Sequence, residues 1–114
     1  MEPIKLAKSI VSVLDEKLGE DIVLLNLEGV SDFTDYFVLS SGSSERMLNS
    51  LADAVDKEIK EITGLDPVKE GLPGSGWVVL DYGSVVVHLL SPELREYYDL
   101  EDLWKKGKLL LRLQ

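Results

Sequence analysis

The stretch WVVLDYGSVVVHLL, residues 77–90, decides the fold. Two apolar runs flank Gly83-Ser84, a two-residue link with Gly first, which suits a type II′ hairpin turn. A link of that length sets the register: Tyr82 faces Val85, Asp81 faces Val86, Leu80 faces Val87, Val79 faces His88, Val78 faces Leu89 and Trp77 faces Leu90. Alternation then sorts the side chains. Val78, Leu80, Tyr82, Val85, Val87 and Leu89 share one face, which reads as core. Trp77, Val79, Asp81, Val86, His88 and Leu90 share the other. That second face mixes apolar bulk with a Trp, an Asp and the chain's single His, so it is either covered by a helix or used to bind.

Working outward, Ile22 to Leu27 is a nearly continuous apolar run, as expected of a strand buried on both faces. Tyr36 to Ser40 reads as another strand. Before them, Ile4, Ala7, Val11, Leu14 and Leu18 fall at helical spacing, with Pro3 in the first turn and Gly19 as the stop. Ser41-Gly42-Ser43-Ser44 breaks the second strand, and Ser43 or Ser44 caps a long helix. Leu48, Leu51, Ala52, Val55, Ile59 and Ile62 form the buried stripe of that helix. Asp53 with Lys57, and Asp56 with Lys60, stand four apart on its outer surface. Gly64 ends it, and 66–75 reads as a loop with a short strand around Val68. After the hairpin, Ser91-Pro92-Glu93 starts a helix. Leu100, Leu103 and Trp104 continue its apolar pattern and place Trp104 in the core. Residues 109–113 are either a final edge strand or a tail packed on a partner. Together these describe an α/β domain with a mixed sheet flanked by helices.

The chain has 114 residues, enough for one domain with its own core. There is no Cys and one His, so thiolate and multi-histidine metal sites and cysteine nucleophiles are excluded. No cofactor is implied. Charges recur through residues 1–20, with no signal-peptide pattern, and no run is long enough to span a bilayer, so a cytoplasmic protein without membrane contact is expected. The net charge is −9, opposite in sign to most free-standing nucleic-acid binders. The charge is uneven. Residues 105–114 hold four bases and no acid, which leaves eight bases against 21 acids in residues 1–104, a balance of −13. Residues 1–104 therefore read as an acidic domain suited to a basic protein, and residues 105–114 as a basic tail able to touch nearby RNA. Exposed strand edges leave room for a weak homodimer.

Three constellations invite a chemical reading. Ser41 to Ser44 sits where phosphate loops sit, but it lacks the Lys of a P-loop and the spaced glycines of a dinucleotide fingerprint; a tight turn with an N-cap is the plainer reading. A Gly-Ser after a strand also suits a nucleotidyl-transferring enzyme, which needs two or three carboxylates on neighbouring strands. The matching strand offers only Asp81, with Val at position 79. His88 with Asp81 could form a base and its orienter, yet the two are diagonal rather than opposite, and no nucleophile is fixed nearby. The aromatics Trp77, Tyr82, Tyr97, Tyr98 and Trp104 crowd the last third, and with Arg95 they are the residue types of binding hot spots.

An ordered set of motifs runs through the chain: Asp35-Tyr-Phe-Val, Ser41-Gly-x-Ser44, Glu70-Gly71, Gly76-Trp77, Leu80-Asp-Tyr-Gly83, Val86-Val-His88, Glu93-x-Arg95, Tyr98 and Leu100-Glu-x-Leu-Trp104. Over about residues 4–104 this set closely resembles the Iojap family, the ribosomal silencing factors. The resemblance implies a nucleotidyltransferase-like fold without its catalytic carboxylates and a non-enzymatic role. It implies binding to large-subunit protein fourteen of the large ribosomal subunit, steric block of small-subunit joining, and repressed translation when nutrients are scarce. Organelle relatives act in large-subunit assembly, which stands as the alternative, with a nucleotidyl-transferring enzyme behind it. The contact residues carried over by motif are Glu70, Trp77, Asp81, His88, Arg95 and Tyr98. One departure is Ser84, where the family usually has an acid.

Overall fold

The structure, a computed structural model, describes residues 1–71, 74–103 and 105–113, without the side chain of Leu103. The expected place of Trp104 in the core lies outside the described residues. The element order is α1 (Pro3–Glu16), β1 (Glu20–Asn26), β2 (Tyr36–Ser41), α2 (Glu45–Thr63), β3 (Val68–Glu70), β4 (Trp77–Asp81), β5 (Val85–Leu90), α3 (Pro92–Tyr98), α4 (Leu100–Leu103) and β6 (Lys108–Leu113). The strands form one six-stranded sheet in the order β3-β4-β5-β2-β1-β6. All its pairings are antiparallel except the central β2–β5 pair, which is parallel. A parallel pair needs a crossover, and α2 lies in it.

The β4–β5 register is the one the Gly83-Ser84 link dictates, with Val79 opposite His88 and Asp81 opposite Val86. Gly83 has φ +86°. The Ser84 N–H donates to the Tyr82 carbonyl at 3.2 Å and the Tyr82 N–H to the Val85 carbonyl at 2.9 Å, which closes the turn tightly. The two faces separate as alternation requires. Leu80, Val85, Val87 and Leu89 join Ile22, Leu24, Val38 and the buried stripes of α1 and α2 in one core. Val86 and Leu90 join Val23, Leu25, Phe37, Leu39 and Leu100 in a second, with Trp77, Val79 and Leu94 packed against it.

Local signals act mostly as their chemistry demands. Ser44 caps α2 by accepting from the Met47 N–H at 3.1 Å, and Ser91 caps α3 by accepting from the Leu94 N–H at 3.3 Å. The Ser41–Ser44 segment is thus a strand end, a turn and a helix cap. Residues 108–113 form the edge strand β6, hydrogen-bonded to β1. Among the described residues no helix is long and apolar enough to cross a membrane.

Three expectations need correction. Leu18 is not on the buried face of α1; it lies beyond the helix, 76% exposed, at φ +66°. The chain must turn within three residues to enter β1, and Leu18 takes the left-handed position that ends the helix. Gly19 serves close approach instead, since a Cβ there would stand 2.7 Å from Ser40 Oγ. Ile62 is 56% exposed, because the last turn of α2 runs past the edge of the core. The carboxylate of Asp56 pairs with Lys69 of β3 at 2.6 Å, and Lys60 pairs with Asp66 at 2.8 Å, in place of the Asp56–Lys60 pair within the helix.

This burial pattern sets an expected contrast in urea unfolding. Leu51→Ala removes a fully buried side chain and should cost about 2–5 kcal/mol. Ile62→Ala should stay within about 0.5 kcal/mol of the parent.

Candidate functional site

The second face of the sheet is covered unevenly. Leu94 of α3 and Leu100 of α4 close it over Leu90, while the β4 end stays partly open. Trp77, Val79 and Asp81 of β4 point to this side, and register adds Val68 and Glu70 of β3, opposite Asp81 and Val79. Lys69 points to the other side, where Asp56 holds it.

An aromatic run crosses this face. Ring centroids are 6.3 Å apart for Phe33–Phe37, 4.6 Å for Phe37–His88, 5.9 Å for His88–Trp77, 4.9 Å for Trp77–Tyr98 and 4.9 Å for Tyr98–Tyr97. The contacts are tilted or edge-on, the geometries that aromatic quadrupoles favour. Phe37 and His88 are buried, whereas Phe33, Tyr97 and Tyr98 are well exposed.

Trp77 is held in place from below. Its indole N–H donates to His88 Nδ1 at 3.2 Å. That bond needs an unprotonated Nδ1, so His88 is neutral with its proton on Nε2. Burial pushes the His88 pKa down to about 4, against a weaker opposing pull from Asp81. The lone pair a general base would use is therefore already engaged by Trp77.

A shallow groove of about 390 Å³ lies beside the indole, lined by Glu70, Gly71, Ser75, Trp77, Val79, Leu94 and Tyr98. Gly71 makes the close approach possible: its φ is +114°, and a Cβ there would collide with the Trp77 carbonyl oxygen. At the other end of Trp77, the Ser91 N–H donates to the Gly76 carbonyl at 2.8 Å, tying α3 to the start of β4.

Of the six residues expected at the contact surface, the structure brings Glu70, Trp77 and Tyr98 together around this groove. His88 lies beneath them. Asp81 is on the same face but about 13 Å along the strand from Trp77, and its Oδ1 accepts from the Gly83 N–H at 2.7 Å. Arg95 is elsewhere. It is buried, and its guanidinium reaches Glu101 at 2.7 Å, Asp21 at 3.6 Å and Ser41 Oγ at 3.1 Å. Asp21 sits where the β1 register shifts, at φ +46°, and also binds Arg112 of β6 through two 3.0 Å bonds. Arg95 thus fastens α3 and α4 to the sheet. The run also includes Phe33, which the sequence reading did not single out, and Phe37, which it quoted in a motif without placing it at the contact surface. Among the described residues no cluster of three or more His, Asp or Glu is arranged to hold a metal ion.

The buried neutral His88 has a consequence for stability. The unfolded chain takes up a proton near the ordinary value of 6.5, and the folded chain only near 4. Stability therefore falls as pH drops through that window, by about 2 kcal/mol between pH 7 and pH 5 from this group alone. Urea unfolding at the two pH values checks it, and His88→Gln should flatten that part of the slope.

Residues 1–112 match the family model described as ribosomal silencing factor during starvation. The ribosomal silencing factor RsfS of Zymomonas mobilis is 38% identical over 106 residues, 93% of this chain and 80% of that protein. The mouse protein named mitochondrial assembly of ribosomal large subunit protein 1 is 40% identical over 98 residues, 83% of this chain but 43% of that protein. A crystal structure of a Chromobacterium violaceum protein superposes with a TM-score of 0.86 at 35% identity, covering 92% of this chain and 88% of that one.

Proposed function

The chain belongs to the ribosomal silencing factor family, and we propose that it docks on the large ribosomal subunit through the aromatic face of its sheet. The contact is with large-subunit protein fourteen, and the bound domain stands in the way of the small subunit, so that translation falls under nutrient limitation. The observation that carries this reading is the aromatic run from Phe33 to Tyr97, centred on a Trp locked by His88 and left partly open on one face. Aromatic anchors of this kind supply most of the affinity in protein interfaces. The acids Glu70 and Asp81 on the same face, in a chain of net charge −9, suit a basic partner and speed encounter with it.

The role is steric and regulatory rather than enzymatic. Asp81 is the one carboxylate on β4, and it is committed to the Gly83 turn. Arg112 is tied to Asp21, so any RNA contact at the C-terminal end falls to Lys105, Lys106 and Lys108, all exposed.

A second reading, assistance in large-subunit assembly, is favoured by the 40% identity to the mouse assembly protein. Sucrose-gradient profiles separate the two. Free mature subunits accumulate if the chain silences, and immature precursors accumulate in its absence if it assembles.

Co-sedimentation should recover the chain with purified large subunits and not with small ones. Trp77→Ala should weaken that binding about 30-fold or more, the fold-change of about 2 kcal/mol. Unchanged affinity in a folded variant would remove Trp77 from the interface.

A further inference from the structure

We propose that the groove beside Trp77 is a receptor for one arginine side chain of the docked partner. This rests on the reading that the aromatic face is the docking surface, and it names the chemistry that surface takes.

The groove offers three things an arginine uses. Trp77 and Tyr98, with ring planes 52° apart and centroids at 4.9 Å, form an aromatic corner on which a guanidinium can stack. Val79 and Leu94 line it with apolar surface suited to the methylene stem. Glu70, exposed on the three-residue edge strand β3, supplies a carboxylate. Among the described residues no cation lines the groove. The two nearest in sequence are accounted for: Lys69 faces away and pairs with Asp56, and Arg95 is buried against Glu101. The negative and π-rich surfaces are thus unneutralised.

The site is built rather than incidental. Only glycine at position 71 lets the chain leave Glu70 so close to the Trp77 backbone, and the His88 bond fixes the plane of the indole. Its volume, about 390 Å³, is at the low end for ligand pockets, and it is shallow, which suits a side chain presented by another protein. Arginine fits better than lysine, because a planar guanidinium both stacks on a ring and offers two parallel N–H groups to a carboxylate, whereas an ammonium is a compact, strongly hydrated charge.

The test uses the whole chain and three small probes followed by NMR: N-acetyl-arginine amide, N-acetyl-lysine amide and N-acetyl-citrulline amide, the last a neutral isostere of arginine. The arginine probe should shift the Trp77 indole N–H and the Tyr98 ring at millimolar concentration. Citrulline and lysine should bind about three- to tenfold more weakly. Glu70→Gln, on an exposed strand, should erase the preference for arginine over citrulline, and Tyr98→Leu should weaken arginine binding. Equal response to citrulline or to lysine, or an unchanged preference in Glu70→Gln, would overturn the proposal. Co-sedimentation with large subunits, run in parallel, separates the two claims. A chain that binds the subunit but ignores arginine overturns the subsite alone. One that takes arginine but ignores the subunit overturns the functional reading and leaves the chemistry of the groove standing.

Discussion

Every residue of β5, Val85 to Leu90, is buried, and that constraint shapes the rest of the molecule. A strand buried on both sides forces cover on both faces of the sheet. On one face α1 and α2 supply most of it, with Leu14, Leu51, Val55 and Ile59 excluded from solvent and Val78 and Tyr82 partly covered. On the other, the cover is two short helices held by Arg95, which meet β4 through Leu94 and Tyr98 and leave a groove beside Trp77. The incomplete second layer is what leaves Trp77 and Val79 half-exposed. The partly open aromatic face is thus a by-product of how little helix follows β5.

Placing His88 in that strand has a cost and a use. A buried imidazole is held neutral by desolvation, so the fold gives up stability in acid. In return, Nδ1 stays unprotonated at neutral pH and fixes the indole of Trp77. A preordered aromatic anchor loses less conformational freedom when a partner arrives. The buried Arg95 ties the helices that carry Tyr98 and Leu100 to the sheet, through a network that joins α3, α4, β1, β2 and β6.

Much of this was legible in the chain. The Gly83-Ser84 link fixed a register that assigned the residues of both flanking strands to their faces, and a cap at Ser91 and another at Ser43 or Ser44 were readable from local chemistry. What escaped was non-local. Phe37 meets His88 only because β2 and β5 pair in parallel across the α2 crossover, and no local pattern encodes that pairing. Leu18 and Ile62 kept helical spacing past the point where the core ends. The burial of the motif residue Arg95 was not legible, because its neighbours Asp21 and Ser41 are more than fifty positions away. The groove came partly from sequence, through Glu70, Gly71, Trp77 and Tyr98, and partly from the fold, through Leu94 and the close approach of Gly71 to the Trp77 backbone.

The central claim is that the open aromatic face, and not the helical face, meets the large subunit. Amide hydrogen exchange of the chain alone and bound to purified large subunits tests it most directly. The account predicts slowed exchange in residues 68–71, 76–82 and 94–98, with α1 and α2 unchanged. Protection concentrated on α1 and α2, with β3 and β4 exchanging as in the free chain, would contradict it.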